Sequence, residues 1–226
     1  MYAPLALIIW CIACTPAAPE TLTYVEVKQA IEDRRLTFQR SYERSDSAAR
    51  TMIIDSARTY VFERIALDIM PSWYGTPWDF NGITRTPGQG AIACGYFVNT
   101  VLQDAGFRLP RVKWSQMASE PITVKVSHRI KRFRDRPVSE VETYIRSQGD
   151  GLYKVGLDNH VGFIVKSGAE VRFVHSSYYG NATGVISEPL DGYNPLAHSR
   201  YRIVGSLLGD AMMEAWIKGT DLSSLP

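Results

Sequence analysis

The residues of this sequence that could perform nucleophilic catalysis are one cysteine and two histidines, Cys94, His160 and His175. Cys94 begins an apolar stripe at helical spacing, so its thiol should lie at a helix N-terminus. The partial positive charge and free N–H groups there stabilise a thiolate, which is the nucleophilic form. We therefore expect a pKa for Cys94 below the value of about 8.5 for free cysteine. Taken alone, Cys94 is better explained as a small apolar residue that heads a buried helix.

The two histidines fall in a predicted β-hairpin. Residues 161–165 and 171–175 are rich in β-branched and aromatic side chains, and a glycine-containing break separates them. A two- or four-residue turn places His175 opposite Gly162, with His160 two residues along the same face. Such diagonal neighbours are about 7–8 Å apart at Cα, which is within reach of two imidazole rings. A three- or five-residue turn without a bulge would place the rings on opposite faces.

A cysteine with two neighbouring histidines suggests a nucleophile, a base and a group that orients the base. The segments Ala93-Cys94-Gly-Tyr-Phe-Val, His160-Val-Gly-Phe-Ile-Val and Phe173-Val-His175-Ser resemble the core of the NlpC-type papain-like cysteine peptidases. These are bacterial cell-wall amidases and endopeptidases, and the resemblance covers about residues 70–180. It implies an α+β fold with a papain-like core, in which the nucleophile helix packs on an antiparallel sheet. It also implies that Cys94, His160 and His175 are catalytic.

The chain departs from the family pattern at the nucleophile and at the group that polarises the substrate carbonyl. The family usually has Asp-Cys-Ser-Gly at the nucleophile, whereas this chain has Ala93-Cys94-Gly95-Tyr96. The group that polarises the substrate carbonyl stays open between the side chains of Gln89 and Tyr74 and the backbone N–H of Cys94.

Residues 71–93, which precede Cys94, form a predicted loop rich in Gly, Pro, Asn and Asp, yet unusually aromatic. Its rings either fasten the loop to the core or line a pocket in front of the helix. On the second interpretation, Trp78, Asp79 and Asn81 are candidate pocket-lining residues.

The N-terminal part of the chain predicts an export signal. Residues 5–13 are apolar, too few to span a bilayer but suited to the hydrophobic core of a signal peptide. The sequence Cys11-Ile-Ala-Cys14 resembles a bacterial lipobox, in which Cys14 would carry the lipid, although Cys11 stands where leucine is usual. A buried N-terminal strand is the alternative interpretation. We expect an exported, periplasmic lipoprotein anchored in the membrane.

The remaining sequence divides into a helical extension and a peptidase-like domain. We assign residues 1–19 to the signal and linker, 20–70 to an N-terminal helical region and 71–226 to the NlpC-like domain. In the helical region Asp46 is a candidate N-cap. An apolar stripe at helical spacing follows it: Ile54, Ala57, Val61, Ile65 and Ile69.

Composition excludes several other classes of protein. The formal net charge is only +2, from 25 Lys and Arg against 23 Asp and Glu, so a strongly basic nucleic-acid binder is excluded. The spacing of the 3 cysteines excludes a zinc ribbon and a disulfide scaffold, and we expect neither metal nor cofactor.

The leading expectation is therefore an exported hydrolase that cleaves an amide bond through a Cys94 acyl-enzyme. The resemblance implies a peptidoglycan stem peptide as the substrate. One alternative is a non-catalytic cell-wall binding module on the same fold. Another is an acyltransferase or amidase of the same fold that acts on a lipid or a small amide.

Lipidation of Cys14 predicts a change in partitioning. The full chain, expressed in a bacterium that processes lipoproteins, should fractionate with membranes, and Cys14→Ser should release it because the acyl chains are lost. Fractionation followed by mass spectrometry of the N-terminus measures both. Soluble wild-type protein that still carries residues 1–13 would contradict the lipoprotein prediction.

Overall fold

The structure, a computed structural model, describes residues 22–180 and 183–226 and has an α+β architecture. The strands are β1 (Arg129–Arg134), β2 (Gly151–Leu157), β3 (Val161–Ser167), β4 (Glu170–Ser177), β5 (Gly184–Glu188) and β6 (Tyr201–Ser206). The α-helices are α1 (Tyr24–Glu43), α2 (Ser47–Arg64), α3 (Met70–Trp73), α4 (Cys94–Asp104), α5 (Arg111–Ser115), α6 (Ser119–Val126), α7 (Val138–Gln148), α8 (Pro195–His198) and α9 (Asp210–Lys218). A π-helical segment (Ile65–Ile69) joins α2 to α3, and a short 3-10 helix covers Leu222–Ser224.

The predicted export signal, with Cys14, lies outside the described residues. Within the ranges that are described, the helices are too short or too polar to cross a membrane.

The described strands form one antiparallel sheet in the order β1-β6-β2-β3-β4-β5. In the β3–β4 hairpin, Phe163 pairs with Val174 and Ser167 with Glu170. This is the register expected from an even-numbered turn, so the predicted hairpin is confirmed. The α+β class with an antiparallel sheet is confirmed as well.

The sheet is covered by apolar packing on both faces. One face, which we call the α4 face, carries Leu152 and Phe163 and packs against α4. There the rings of Phe97 and Phe163 lie edge to face with centroids 6.2 Å apart. The opposite face, which we call the α7 face, carries Ile164 and Phe173 and packs against α7. The sheet is therefore the central layer between two cores.

The N-terminal helices share the core of the α4 face. Asp46 caps α2 as predicted, because its carboxylate accepts the N–H of Ala49 at 2.9 Å. Four positions of the predicted stripe are fully buried: Ala57, Val61, Ile65 and Ile69. Helices α1 and α2 also pack on α9, so this region supports the sheet and its helices.

Gly162 leaves no room for a side chain, because β4 crowds it. A Cβ at this position would lie 2.9 Å from Cβ of His175 and 2.6 Å from Cε2 of Phe173. We expect Gly162→Ala to lower the free energy of unfolding by about 1–3 kcal/mol, the range for overpacked cores. Urea denaturation measures this, and Ser167→Ala at the exposed end of the same strand should change it by less than about 0.5 kcal/mol. Unchanged stability of Gly162→Ala would contradict the close packing.

Candidate active site

Cys94 is the first residue of α4, as its position before the apolar stripe predicts. The N-cap residue, Ala93, makes no side-chain hydrogen bond to the first turn, so the side chain of Ala93 does not cap the N–H groups there. The sulfur receives backbone hydrogen bonds from Cys94 itself, from Gly95 and from Val161 at the start of β3. The thiol therefore lies between a helix N-terminus and the first residue of a central strand.

The segment before Cys94 is held from two sides. The N–H groups of Ile92 and Ala93 donate to carbonyl groups of the preceding loop at 2.9 and 2.8 Å. The hydroxyl of Ser176, which is fully buried, donates to the carbonyl of Ile92 at 2.6 Å. Because Ser176 directly follows His175, strand β4 positions both the start of α4 and one of the two paired histidines.

The glycine after Cys94 has a packing reason. A Cβ on Gly95 would lie 2.6 Å from the carbonyl oxygen of Ser115. The Ser115 hydroxyl also donates to the Gly95 carbonyl at 3.2 Å. Helix α5 therefore packs directly on the first turn of α4, and only glycine permits that approach.

A chain of hydrogen bonds links His160 to a carboxylate. Nε2 of His160 lies 2.8 Å from Nδ1 of His175, and Nε2 of His175 lies 2.7 Å from Oε1 of Glu188. The two imidazoles are perpendicular, with ring centroids 4.9 Å apart, and are 4% and 0% exposed. The ring of Phe173 stacks on His175 at 4.0 Å. The predicted same-face histidine pair is thus present in the structure.

The direction of these hydrogen bonds assigns the proton on each ring. A carboxylate only accepts, so Nε2–H of His175 donates to Glu188. The Nδ1 of a neutral His175 is then an acceptor, and it receives Nε2–H of His160. This leaves Nδ1 of His160 unprotonated, and in the part of the chain that is described this buried atom has no hydrogen-bond partner.

Both histidines are neutral at pH 7. Burial lowers the pKa of His160 well below its ordinary value, and the neighbouring His175 lowers it further. Burial also lowers the pKa of His175, and the hydrogen bond to Glu188 opposes that change only in part. Two neutral imidazoles joined by a hydrogen bond can accept a proton at a defined nitrogen, and a general base must do the same.

The predicted lowering of the pKa of Cys94 is wrong. Burial raises this pKa above its ordinary value, because the loss of hydration destabilises the thiolate more than the neighbouring donors and charges stabilise it. Three backbone N–H groups lower the pKa, and the positive charge of Lys154 lowers it as well. The helix N-terminus was visible in the sequence, but the depth of burial was not. The resting pair is therefore a neutral thiol and a neutral imidazole.

One tyrosine that the sequence analysis did not select belongs to this site. The ring of Tyr178 lies 5.3 Å from that of His160 and 5.4 Å from that of Trp78. Burial raises the pKa of Tyr178, and the charge of Cys94 raises it further. Trp78 is half-buried against Tyr178, in keeping with its predicted role as a lining residue. The only sequence signal was the position of Tyr178 just beyond the strand of His175.

The structure does not bring Tyr74 to the site. Tyr74 lines a separate groove of about 1070 Å³ on the α4 face, together with Val165 and Ser187. The described residues that line this groove include neither Cys94 nor the two histidines.

The other loop candidates are exposed to solvent. Gln89 is exposed, and its backbone N–H donates to Thr86 within the loop at 3.2 Å. The carboxylate of Asp79 accepts the N–H of Asn81 at 2.7 Å, so these two residues shape the turn that leads back toward α4. In the described ranges, no cluster of His, Cys, Asp or Glu side chains is arranged to hold a metal ion.

The proton positions are testable by NMR of the imidazole nitrogens. At pH 7 we expect both His160 and His175 to carry the proton on Nε2, because Glu188 orders the chain. Glu188→Ala should allow a population of His175 with the proton on Nδ1. Glu170→Ala removes an exposed carboxylate from β4, the strand of His175, and should leave both tautomers unchanged. A proton on Nδ1 of His160 in the wild type would contradict the assignment.

Comparison of the chain with protein-family models, with curated proteins and with solved structures finds no match. The inference about function therefore depends on the geometry around Cys94 and on the short motifs that carry the resemblance.

Proposed function

We propose that the chain is a cysteine-dependent amide hydrolase with a papain-like, NlpC-like core, in which Cys94 is the nucleophile and His160 the general base. The observation that carries the proposal is the hydrogen-bonded chain from Glu188 through His175 to His160. It leaves an unprotonated Nδ1 on a buried imidazole, directly before the residue whose N–H reaches the Cys94 sulfur. A base held by two further groups is the arrangement that activates a nucleophile.

In the proposed reaction the thiol proton moves as the sulfur attacks. Cys94 transfers its proton to Nδ1 of His160 while its sulfur bonds to the amide carbonyl carbon. The imidazolium that forms is stabilised by His175 and, beyond it, by the carboxylate of Glu188. His160 then protonates the leaving amine, which gives a thioester and a free amine. Water, deprotonated by His160, hydrolyses the thioester to a carboxylic acid and restores the thiol.

The first turn of α4 supplies donors for the oxyanion. The N–H groups of Cys94 and Gly95 point toward the sulfur and are not covered by a side-chain cap. Backbone donors at a helix N-terminus stabilise negative charge on a reacting carbonyl oxygen. Of the candidates that the sequence left open, the backbone N–H of Cys94 is the one we assign to this role. The hydroxyl of Tyr178 is the nearby side-chain donor that we assign in place of Tyr74.

The substrate we propose is a peptidoglycan stem peptide. Support comes from the family resemblance and from the predicted export signal, which would place the enzyme in the periplasm. A lipid on Cys14 would hold it at the membrane, facing the cell wall.

Incubation of purified sacculi with the wild-type chain and with Cys94→Ala tests the proposal. We expect new muropeptides only with the wild type, since the variant has no sulfur to form the acyl-enzyme. Circular dichroism and thermal unfolding of Cys94→Ala check that its fold is retained.

A second measurement separates the chemistry from the choice of substrate. An activated ester such as p-nitrophenyl acetate should acetylate Cys94, and mass spectrometry locates the adduct. Acetylation without new muropeptides would retain the nucleophile and overturn the peptidoglycan substrate. Identical muropeptides from the wild type and Cys94→Ala would overturn the cysteine mechanism.

A further inference from the structure

Lys154 is a buried cation at the centre of the sheet. It lies in β2 opposite Phe163, on the α4 face, and is only 2% exposed. Its ammonium donates to the hydroxyl of Thr123 at 2.7 Å and to the carbonyl of Ser119 at 3.1 Å, both in α6. Among the described residues no carboxylate acts on its charge. An unpaired buried ammonium is rare and unfavourable, so this lysine requires a physical reason.

The position of Lys154 connects it to the start of α4. Phe163, its partner across the strands, is two residues from Val161, whose N–H reaches the Cys94 sulfur. On the helical side, the carbonyl that holds Lys154 belongs to the first residue of α6. Four residues earlier, the carbonyl of Ser115 lies against Gly95, the neighbour of Cys94. The segment 115–119 therefore contacts Lys154 at one end and the neighbour of Cys94 at the other.

The charges of Cys94 and Lys154 act on each other. The ammonium favours the thiolate, and a thiolate at Cys94 favours the ammonium. The charge of Cys94 also acts on the Tyr178 hydroxyl, and the ring of Tyr178 lies beside the neutral His160. On α6, Glu120 is half-buried and is bound to Arg132 and to the Tyr201 hydroxyl, so it does not neutralise Lys154.

We propose that Lys154 is the buried counter-cation of the Cys94 thiolate, a positioning residue that acts through the charge of Cys94. The proposal rests on the proposed function, because it takes Cys94 as the nucleophile. In this role Lys154 acts as the ammonium, and the proton lost by the thiol goes to His160 or to solvent rather than to Lys154.

The physical reason is the mutual cancellation of two desolvation costs. A lone thiolate and a lone ammonium are each unfavourable in this interior, whereas an opposite charge nearby offsets both. Burial lowers the pKa of Lys154 to about 7, and the negative charge of a Cys94 thiolate opposes this lowering. The thiolate therefore favours the ammonium form of Lys154 over the neutral amine.

The pH dependence of Cys94 alkylation tests the proposal. The native full chain is treated with iodoacetamide across a pH series, and mass spectrometry follows the modification of Cys94. Lys154→Met keeps a long apolar side chain but removes the charge. We expect the midpoint for alkylation to rise by at least about one pH unit, which is a tenfold slower rate at a fixed pH below the midpoint.

Lys166→Met is the matched control. Lys166 is also buried in the sheet, at 8% exposure, but it is paired with Asp150 and does not act on Cys94. Its removal should leave the alkylation midpoint unchanged. A merely structural role for Lys154 would instead lower the melting temperature and leave the midpoint of the folded protein unchanged, which would overturn the proposal.

Two further arrangements keep the test decisive. Where Lys154→Met does not fold, Thr123→Val withdraws one acceptor from the ammonium and should shift the midpoint in the same direction by a smaller amount. An unchanged midpoint in that variant would overturn the proposal.

Alkylation needs no substrate, so a shifted midpoint in a chain that hydrolyses no amide would support the Lys154–Cys94 pair while the proposed function fails. Hydrolysis with an unshifted midpoint would do the reverse.

Discussion

A carboxylate can only accept a hydrogen bond, and this asymmetry at Glu188 orders the buried centre of the molecule. It assigns the proton of His175 to Nε2, and the proton of His160 follows because each neutral imidazole has one donor and one acceptor. A buried imidazole without such a partner could adopt either tautomer. With Glu188 in place, the one ring nitrogen that neither carries a proton nor accepts a hydrogen bond is Nδ1 of His160.

The sheet brings Glu188 and the two histidines together, and β4 contributes most to this arrangement. One side of β4 presents His175 toward Glu188 of β5, while the next residue, Ser176, binds the segment before Cys94. Alternation along a strand sends these two neighbours to opposite faces. A single extended segment therefore fixes the position of the histidine pair relative to the start of α4. Gly162, opposite His175, leaves room for the Cβ of His175 and for the ring of Phe173 that stacks on it.

The electrostatics of Cys94 combine opposing contributions. Burial disfavours the thiolate, whereas the backbone donors and the charge of Lys154 favour it, and burial dominates in the resting state. A neutral thiol is less reactive toward adventitious electrophiles than a standing thiolate. In the reaction we propose, proton transfer to His160 then forms the nucleophile within a site whose dipoles and charges are already oriented toward it.

Patterns between residues close in sequence determined a large part of this protein in advance. The apolar stripe placed Cys94 at the start of a helix, and the two-residue period put His160 and His175 on one face for any even-numbered turn, which the structure has. These features depend on local backbone geometry, so neighbouring residues encode them. Only the tertiary structure decided the partner of His175, the position of Tyr178 rather than Tyr74 beside His160, and the direction of the pKa shift of Cys94. Each of these depends on which distant segments pack together and how deeply they exclude water, and desolvation is a property of the assembled core rather than of any stretch of sequence.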